Sequence, residues 1–574
     1  MTSRFHLVTV GADDPTPNLE IASTALRRRG YEPTPLTLPA SGLPRGIARS
    51  HKHTFKSFTH TPAPLIESWR VAQHVVASTQ PGDIIVIGDE AGVGGVLALI
   101  EAALPAGERR RLWTVAGDGL ALRTAQIAGT IDGLDMKETS EVDWELVQYR
   151  HASEVLATSE LAVQILSDLS ITAHLITEPL PAQPPAEPRA DSGFWAPGAV
   201  SRASRSGDVM RAAATLPEGR LTVSTRDAND GIWSGSTWES LHGVRAVLGD
   251  RLRRGDRPTS QPDAVIVGDP LTPPDAVTSS WRDSGVPILV SGGSVAAAMW
   301  PDSLTWANED DLAALLAGKG VPSVARGATW SGPTEPLPGD ASRARQVSVG
   351  VPVFRNVAFL DECVESILAQ DQPPYEVVLI DDGSASPAVE SALASWQDRA
   401  PDLIRIDRQP NRGVCVARNR LVESMTGDAF LLIDQDDVLE PGFISRTAEA
   451  LRRDTSLWAV ATWTEFFGDY EGIEAKPPFD RRVGLRENPI VSTAVLVDMS
   501  VRDKGIRFAP DLAFLFCEDW HVWSQIIAAG GRMGLVPEPL VRHRVHPASG
   551  GFQRTELAHR IGKARAIEPM LAKS

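Results

Sequence analysis

The sequence has few cysteines and no long apolar run. Its three cysteines, Cys363, Cys415 and Cys517, are odd in number and far apart, so they form neither a disulfide framework nor a CxxC metal motif. This favours a reducing, cytoplasmic setting. The most apolar long stretch, Ala91–Leu104, is too short for a membrane span, and acidic residues follow the N-terminus too closely for a signal peptide. Peripheral attachment to a membrane stays open.

Positive charge is also scarce. The 73 Asp and Glu residues outnumber the 56 Lys and Arg residues, which gives a net charge of −17. An acidic surface does not generally attract nucleic acid, so we expect no nucleic-acid partner. A local basic pocket for a diphosphate is compatible with this balance. The 574 residues, of which 42% are hydrophobic and 22% charged, indicate a globular chain of about three domains.

Two stretches have the composition of linkers. Residues 178–193 are rich in proline and alanine, and residues 330–339 are rich in proline and glycine. Such stretches sustain neither a helix nor a strand ladder. They predict three domains, at residues 1–182, 190–335 and 345–574.

In the first two predicted domains, short apolar runs alternate with helical patterns. Unbroken apolar strands between helices predict parallel sheets that are covered on both faces. The predicted strands lie at residues 5–10, 83–88, 112–116, 154–158, 220–223, 264–267 and 287–290, and the predicted helices pass through 19–29, 96–103 and 310–317.

Two phrases in this region, QYRHASEVLATS at 148–159 and GVPILVSGG at 285–293, are similar to those of the paired Rossmann-like domains of GT-B glycosyltransferases. Active retaining members of that group carry an acidic pair spaced by seven residues and an Arg/Lys pair facing the donor diphosphate. Neither pair is evident at residues 268–277 or 201–211. The resemblance therefore implies a GT-B-like, non-catalytic unit for acceptor binding, partner docking or scaffolding.

In the third predicted domain, carboxylates follow apolar strands directly. A strand at 346–354 and a helix through 359–368 are followed by a strand at 375–380, which runs into Asp-Asp-Gly-Ser at 381–384. Ligands of open parallel sheets bind at the carboxyl ends of the strands. Taken alone, the run is more typical of an ordinary turn, since Asp and Gly favour turns.

Two further motifs follow in order. Asn-Arg-Gly at 411–413 opens a helix, and the apolar strand 428–433 ends in Asp-Gln-Asp-Asp at 434–437. Asp434 and Asp436 lie on one side of an extended segment because their spacing is two. Carboxylates suit Mg²⁺ or Mn²⁺, which would offset the charge of a leaving diphosphate. A calcium loop starting at Asp434 would need glycine at its sixth position, where the sequence has leucine.

The last motifs place a carboxylate pair and a histidine near the end of the chain. Glu518-Asp519 begins a predicted helix that ends at 530–531, and residues 541–549 read Val-Arg-His-Arg-Val-His-Pro-Ala-Ser. A helix N-terminus favours ionised carboxylates. The pair could equally cap its helix, and a single histidine is more often structural than a ligand.

The order of these motifs resembles that of family 2 glycosyltransferases with the GT-A fold, over roughly residues 347–549. The resemblance implies inverting transfer from a nucleotide-sugar donor, with UDP-sugar favoured, to a glycan, lipid-linked or small-molecule hydroxyl, as in polysaccharide biosynthesis. It implies Asp519 as general base, with Asp436 and His546 as ligands of Mg²⁺ or Mn²⁺. The residues implied in nucleotide-sugar binding are Pro352, Phe354, Asn356, Asp381, Asp382, Gly383, Arg412, Gly413, Arg418, Asp434, Gln435 and Arg544.

Other functions remain open at this point. A bifunctional enzyme would have an active GT-B-like part as well, and a non-enzymatic scaffold would keep only the sugar-nucleotide pockets. The chain departs from the family at His543, where many relatives have tyrosine, and this departure bears on packing more than on catalysis. Trp520 and Trp523 are interpreted as core residues rather than as a sugar platform.

Overall fold

The computed structural model of the chain has an α/β architecture with three sheets, which confirms the predicted fold class. The linker residues 178–192 and 330–339, together with residues 201–204, 270, 272–277 and 547–549, lie outside the described residues. The residues that the structure describes are 4–10, 17–38, 63–89, 92–104, 106–117, 119–128, 136–176, 193–197, 205–216, 220–223, 242–254, 262–269, 271, 278, 282, 286–292, 294–300, 303–317, 340, 344, 346–546 and 556–571.

Contacts between Cα atoms divide the chain into two compact units. The first two sheets belong to the first unit, and the third sheet belongs to the second. The first unit comprises Met1–Leu43, His74–Gly95 and Arg110–Glu335, and the second comprises Pro44–Gln73, Val96–Arg109 and Pro336–Ser574. The division into three domains stays a prediction.

The first sheet has six strands, all parallel, in the order β2-β1-β3-β4-β5-β6. Its central strands are almost wholly buried, as expected for strands covered on both faces. The elements are β1 (Phe5–Val10), α1 (Pro17–Arg28), β2 (Pro33–Leu38), α2 (Ala63–Ser78), β3 (Ile84–Gly88), α3 (Gly95–Ala103), β4 (Arg111–Ala116), α4 (Leu120–Ala128), α5 (Met136–His151), β5 (Glu154–Ala157), α6 (Glu160–Asp168) and β6 (His174–Leu175).

The second sheet is also parallel, with the order β12-β11-β10-β7-β8-β9. The elements are β7 (Gly193–Ala196), α7 (Ser206–Ala214), β8 (Arg220–Val223), α8 (His242–Leu248), β9 (Leu252–Arg254), β10 (Ala264–Val267), β11 (Ile288–Ser291), α9 (Val295–Met299), β12 (Leu304–Trp306) and α10 (Glu309–Leu316).

The third sheet is mixed. Its order is β15-β14-β13-β16-β20-β18-β21-β17, with β19 paired to β18; β13 to β16 run parallel, and β20 is antiparallel to both neighbours. The elements are β13 (Val347–Val353), α11 (Leu360–Leu368), β14 (Glu376–Asp381), α12 (Pro387–Arg399), β15 (Ile404–Arg408), α13 (Val414–Ser424), β16 (Ala429–Leu432), β17 (Val438–Leu439), α14 (Phe443–Arg453), β18 (Leu457–Gly468), β19 (Gly472–Glu474), α15 (Arg481–Arg486), β20 (Leu496–Asp498), α16 (Ser500–Asp503), α17 (Glu518–Ala528), β21 (Arg532–Val545) and α18 (Glu556–Leu571).

The third sheet positions the predicted motifs. β13, β14 and β16 are parallel neighbours, so the segments that follow Val353, Asp381 and Leu432 meet at one edge of the sheet. The long strand β21 pairs with β17 and β18 and thereby carries the last motif into the same sheet. In the described part of the chain, no helix is both long and apolar enough to cross a membrane.

Candidate functional site

The turn after β14 is built around its own side chains. Ser384 donates its backbone N–H to Oδ1 of Asp381 at 2.9 Å, and its hydroxyl accepts from the N–H of Arg355 at 2.8 Å. Gly383 has φ +69°, and a Cβ added there would lie 2.4 Å from the backbone nitrogen of Asn411. The turn is therefore packed directly against the Asn-Arg-Gly turn.

Asp382 joins these two turns. Its buried carboxylate accepts hydrogen bonds from Nε2 of Gln409 at 2.7 Å and from the N–H groups of Arg412 at 2.9 Å and Gly413 at 3.0 Å. Gly413 has φ +87°, a conformation that favours glycine. Asp382 therefore holds the start of α13 in place. The predicted role of Arg412 and Gly413 in donor binding depends on these hydrogen bonds to Asp382.

Gln435 connects the acidic motif to the end of β13. Its Oε1 accepts from the N–H of Phe354 at 3.0 Å, and its Nε2 lies 3.4 Å from the carbonyl oxygen of Phe354. The side-chain amide of Gln435 thus bonds to the backbone of Phe354 in the way that a neighbouring strand would.

Two other predicted residues lie near this point. Pro352 lies in β13 opposite Ile380, and the exposed Asn356 accepts from the N–H of Ala358 at 2.9 Å.

Arg418 connects the acidic motif to the start of α17. Its guanidinium is buried, and it donates to Oδ1 of Asp434 at 2.7 Å and to Oε1 of Glu518 at 2.9 Å. Burial disfavours the charged guanidinium, but the two carboxylates overcome this and raise the pKa of Arg418. Within the described residues, Nε of Arg418 and Oε2 of Glu518 are buried without a hydrogen-bond partner.

Asp436 and His546 face each other. Oδ2 of Asp436 lies 2.8 Å from Nε2 of His546, and both side chains are partly exposed. Burial and the charges of Asp434 and Asp437 raise the pKa of Asp436. A carboxylate and an imidazole are donors that fit Mn²⁺ or Mg²⁺. The described residues contain no group of three or more metal-ligating side chains, so these two would need oxygen ligands from water or a diphosphate.

Arg544 lies beside this pair. Its Nε donates to the backbone oxygen of Asp436 at 3.0 Å, and its guanidinium also pairs with Glu362. The rings of Phe359 and Phe467 each lie 4.2 Å from the guanidinium carbon. The two rings and Glu362 thus hold this cation beside Asp436.

Asp437 was not singled out from the sequence. It is fully buried, and it accepts from the hydroxyl of Ser492 at 3.1 Å and from the N–H of Arg544 at 3.1 Å. Nδ1 of His543 lies 3.0 Å from its carboxylate. Burial lowers the pKa of His543, but Asp437 reverses this and raises it to about 9. His543 therefore ties β21 to the acidic motif, and only the DxDD spacing could have pointed to Asp437.

Asp519 lies in the first turn of α17. Burial and the neighbouring charge of Glu518 raise its pKa to about 7. Nδ2 of Asn488, which the sequence did not indicate, donates to its Oδ2 at 3.0 Å. A carboxyl group with a pKa near neutrality is suited to accept a proton from a hydroxyl. The structure thus brings together the predicted residues of five segments, at 352–356, 381–384, 411–418, 434–437 and 544–546. Arg418 links this group to the Glu518-Asp519 pair.

Comparisons with known proteins identify a family for part of this region. Residues 348–498 match the family described as Glycosyl transferase family 2. A glycosyltransferase of Haemophilus influenzae is 24% identical over 215 residues, which cover 35% of this chain and 65% of that protein. Glycosyltransferase alr2836 of a Nostoc species is 30% identical over 107 residues, which cover 19% and 33%. The resemblance to family 2 is therefore confirmed for this part of the chain.

Solved structures give weaker likenesses. A mannosyltransferase of Pyrobaculum calidifontis with GDP-Man and Mn²⁺ is 20% identical, with a TM-score of 0.32, and the match covers 42% of this chain and 67% of that one. TarS of S. aureus with UDP is 18% identical, with a TM-score of 0.30, and the match covers 35% and 61%.

Proposed function

We propose that the region 345–574 is an inverting glycosyltransferase that moves a sugar from a nucleotide diphosphate donor to a hydroxyl acceptor. The observation that carries the proposal is the Asp434–Arg418–Glu518 bridge. Asp434 lies two residues before Asp436, which pairs with His546 in an arrangement suited to a metal diphosphate. Glu518 directly precedes Asp519, whose pKa is raised to about 7. UDP-sugar is the favoured donor, and the acceptor is a glycan, a lipid-linked sugar or a small molecule.

Asp436 and His546 would hold Mg²⁺ or Mn²⁺, which neutralises the charge of the departing diphosphate. Arg544, held by two aromatic rings next to Asp436, adds a fixed positive charge on the same side. The turns around Asp381 and Gly413 would lie against the nucleoside, with the carboxylate of Asp381 on that side. Hydrogen bonds within the protein fix both turns.

Asp519 takes the proton of the acceptor hydroxyl. The hydroxyl oxygen forms a bond to the anomeric carbon as the bond from that carbon to the diphosphate oxygen breaks. The diphosphate leaves with the electron pair, and the configuration at the anomeric carbon is inverted. General base catalysis of this kind typically contributes about 10² to 10⁴ in rate.

We assign the GT-B-like region, residues 1–335, a non-catalytic role. Arg205, the residue before α7, places a basic side chain near the carboxyl ends of β11 and β12 in the second sheet. Its guanidinium is committed to Asp208 at 2.9 Å, to Ser291 at 3.0 Å and to the carbonyl of Ala307 at 3.0 Å, and it lies over the ring of Trp306. A cation held this way serves the packing of the second sheet.

The test is donor turnover with the full chain, Mn²⁺ and a panel of UDP-glucose, UDP-N-acetylglucosamine and GDP-mannose. We expect slow release of one nucleotide, and its loss in Asp436→Asn. Asp398→Asn, an exposed carboxylate on α12, serves as the control and should behave as the parent does. Turnover of the same donor by Asp436→Asn would contradict the proposal, and loss of only one of two transfers would support the bifunctional alternative.

A further inference from the structure

The side chain of Asn488 has a fixed orientation. Its Oδ1 accepts from the N–H of Ile490 at 3.2 Å, and its Nδ2 donates to Oδ2 of Asp519 at 3.0 Å. A backbone N–H can only donate, so the oxygen of the amide must face Ile490 and the NH₂ group must face Asp519. The assignment of the two amide atoms therefore follows from the hydrogen bonds themselves.

A second bond ties the same segment to α17. The indole Nε1 of Trp520 donates to the carbonyl oxygen of Gly484 at 3.0 Å. Gly484 lies so close to Phe479 that an added Cβ would be 2.6 Å from its ring. The segment 484–488 is thus held against the first turn of α17 at two consecutive residues, Asp519 and Trp520.

The charged groups around Asp519 come from several elements. Glu518 precedes it on α17, and Arg418 on α13 pairs with Glu518. Asp511 in the short 3-10 helix Pro510–Leu515 pairs with Arg565 on α18. The remaining charged groups with described side chains on the packed elements α15, α18 and β21 and on the segment after α15 are Arg481, Arg482, Arg486, Glu487, Arg560, Lys563, Glu568, Arg532, Glu538, Arg542, His543 and Arg544.

We infer that Asn488 is a positioning residue for the base: it holds Oδ2 of Asp519 in the ionised form and leaves the rest of the carboxylate for the acceptor hydroxyl. The inference rests on the proposed function. An N–H donor stabilises the carboxylate more than the carboxylic acid. Without this donor the proton is retained to higher pH, and the carboxyl group is free to turn away from the acceptor.

The experiment compares the parent chain with Asn488→Ala, using the pH dependence of nucleotide release from the donor that the parent hydrolyses best. Loss of one hydrogen bond to a charged group should move the acid limb of the profile upward by about one pH unit. The KM for the donor should stay within about twofold of the parent value, because Asn488 contacts the base and not the donor turns. Asn488→Gln keeps an amide donor and should move the limb back towards the parent position.

Glu487→Gln is the matched control, since Glu487 adjoins Asn488 but pairs with Lys476 at 3.0 Å. Its acid limb should coincide with that of the parent. If Asn488→Ala lowers the rate by the same factor at every pH, Asn488 has only a structural role and the inference is wrong.

A stability measurement tests the effect of Asn488 on the ionisation of Asp519 without requiring turnover. Since burial raises the pKa of Asp519 in the folded chain to about 7, its ionisation destabilises the fold as pH rises from about 4 to 7. The difference in Tm between Asp519→Asn and the parent should grow over that range and level off near pH 7. In the Asn488→Ala background we expect the levelling about one unit higher; an unchanged position would overturn the inference. A parent chain that turns over no donor would contradict the proposed function alone.

Discussion

Oδ2 of Asp436 lies 2.8 Å from Nε2 of His546, although 110 residues separate them in the chain. Asp436 follows β16, and His546 follows the long strand β21, so the sheet brings them together. The carboxylate and the imidazole bond to each other directly, and we propose that a metal ion carried by the donor diphosphate binds at this pair.

Metal removal should stop turnover and leave the stability of the fold almost unchanged. We expect excess EDTA to abolish nucleotide release from the donor and added Mn²⁺ or Mg²⁺ to restore it. A cation bound weakly by two side chains stabilises the fold very little, so the Tm should change by about 1 °C or less. Calorimetric scans with and without EDTA check this, and a large fall in Tm would mean that the metal is structural.

The pH dependence of transfer should follow the ionisation of Asp519. Burial and the charge of Glu518 raise the pKa of Asp519 to about 7, and only the ionised form accepts a proton. The rate should therefore rise about tenfold per pH unit below this pKa and level off above it. Asp519→Asn should lower the rate by about 10² to 10⁴, whereas the exposed Asp511→Asn should not. A rate in the parent that is independent of pH between 5 and 8 would argue against this base.

Replacement of Arg418 should destabilise the second unit. Arg418→Met leaves Asp434 and Glu518 without the buried cation that pairs with both, which costs about 3–5 kcal/mol. Arg418→Lys keeps the charge but cannot match the two-carboxylate geometry, so its cost should be intermediate. Urea unfolding measures both. Arg420→Met, which removes an exposed ion pair with Asp407, should have little effect, and equal costs for the two Met variants would contradict the bridge.

Gly383→Ala should weaken donor binding. The new Cβ would come 2.4 Å from the nitrogen of Asn411, so the Asn-Arg-Gly turn must shift. Gly530→Ala has a similar backbone, with φ +89°, but open space around the new atom. It should cost only the conformational penalty of about 1 kcal/mol and keep donor affinity. Equal affinities of the two variants for UDP would show that the close packing of the two turns is unimportant.

Local patterns predicted much of this unit. The strands before Asp381 and Asp434 and the helix that carries Arg418 lie within about two residues of their predicted positions, because apolar runs and turn residues specify them locally. The sequence did not indicate the pairing of β18 with β21. Such pairings depend on contacts across the chain, and proline within β21 obscures its strand pattern.

The same reason explains why Asn488 and the partner of His543 were missed. Asn488 contacts Asp519, which is 31 residues away, and it stands in no motif with a fixed spacing. His543 was expected to bear on packing, but its contact with Asp437, 106 residues away, depends on the fold. The roles of the site residues stay predictions, as does the GT-B-like assignment of the region 1–335.

The most direct measurement is the affinity of the full chain for UDP with and without Mn²⁺, by calorimetric titration of the parent and of Asp436→Asn. We predict that Mn²⁺ tightens UDP binding at least tenfold in the parent and in Asp398→Asn, and that Asp436→Asn loses this gain. An equal effect of Mn²⁺ on the parent and on Asp436→Asn, or no effect on either, would contradict the metal-assisted site.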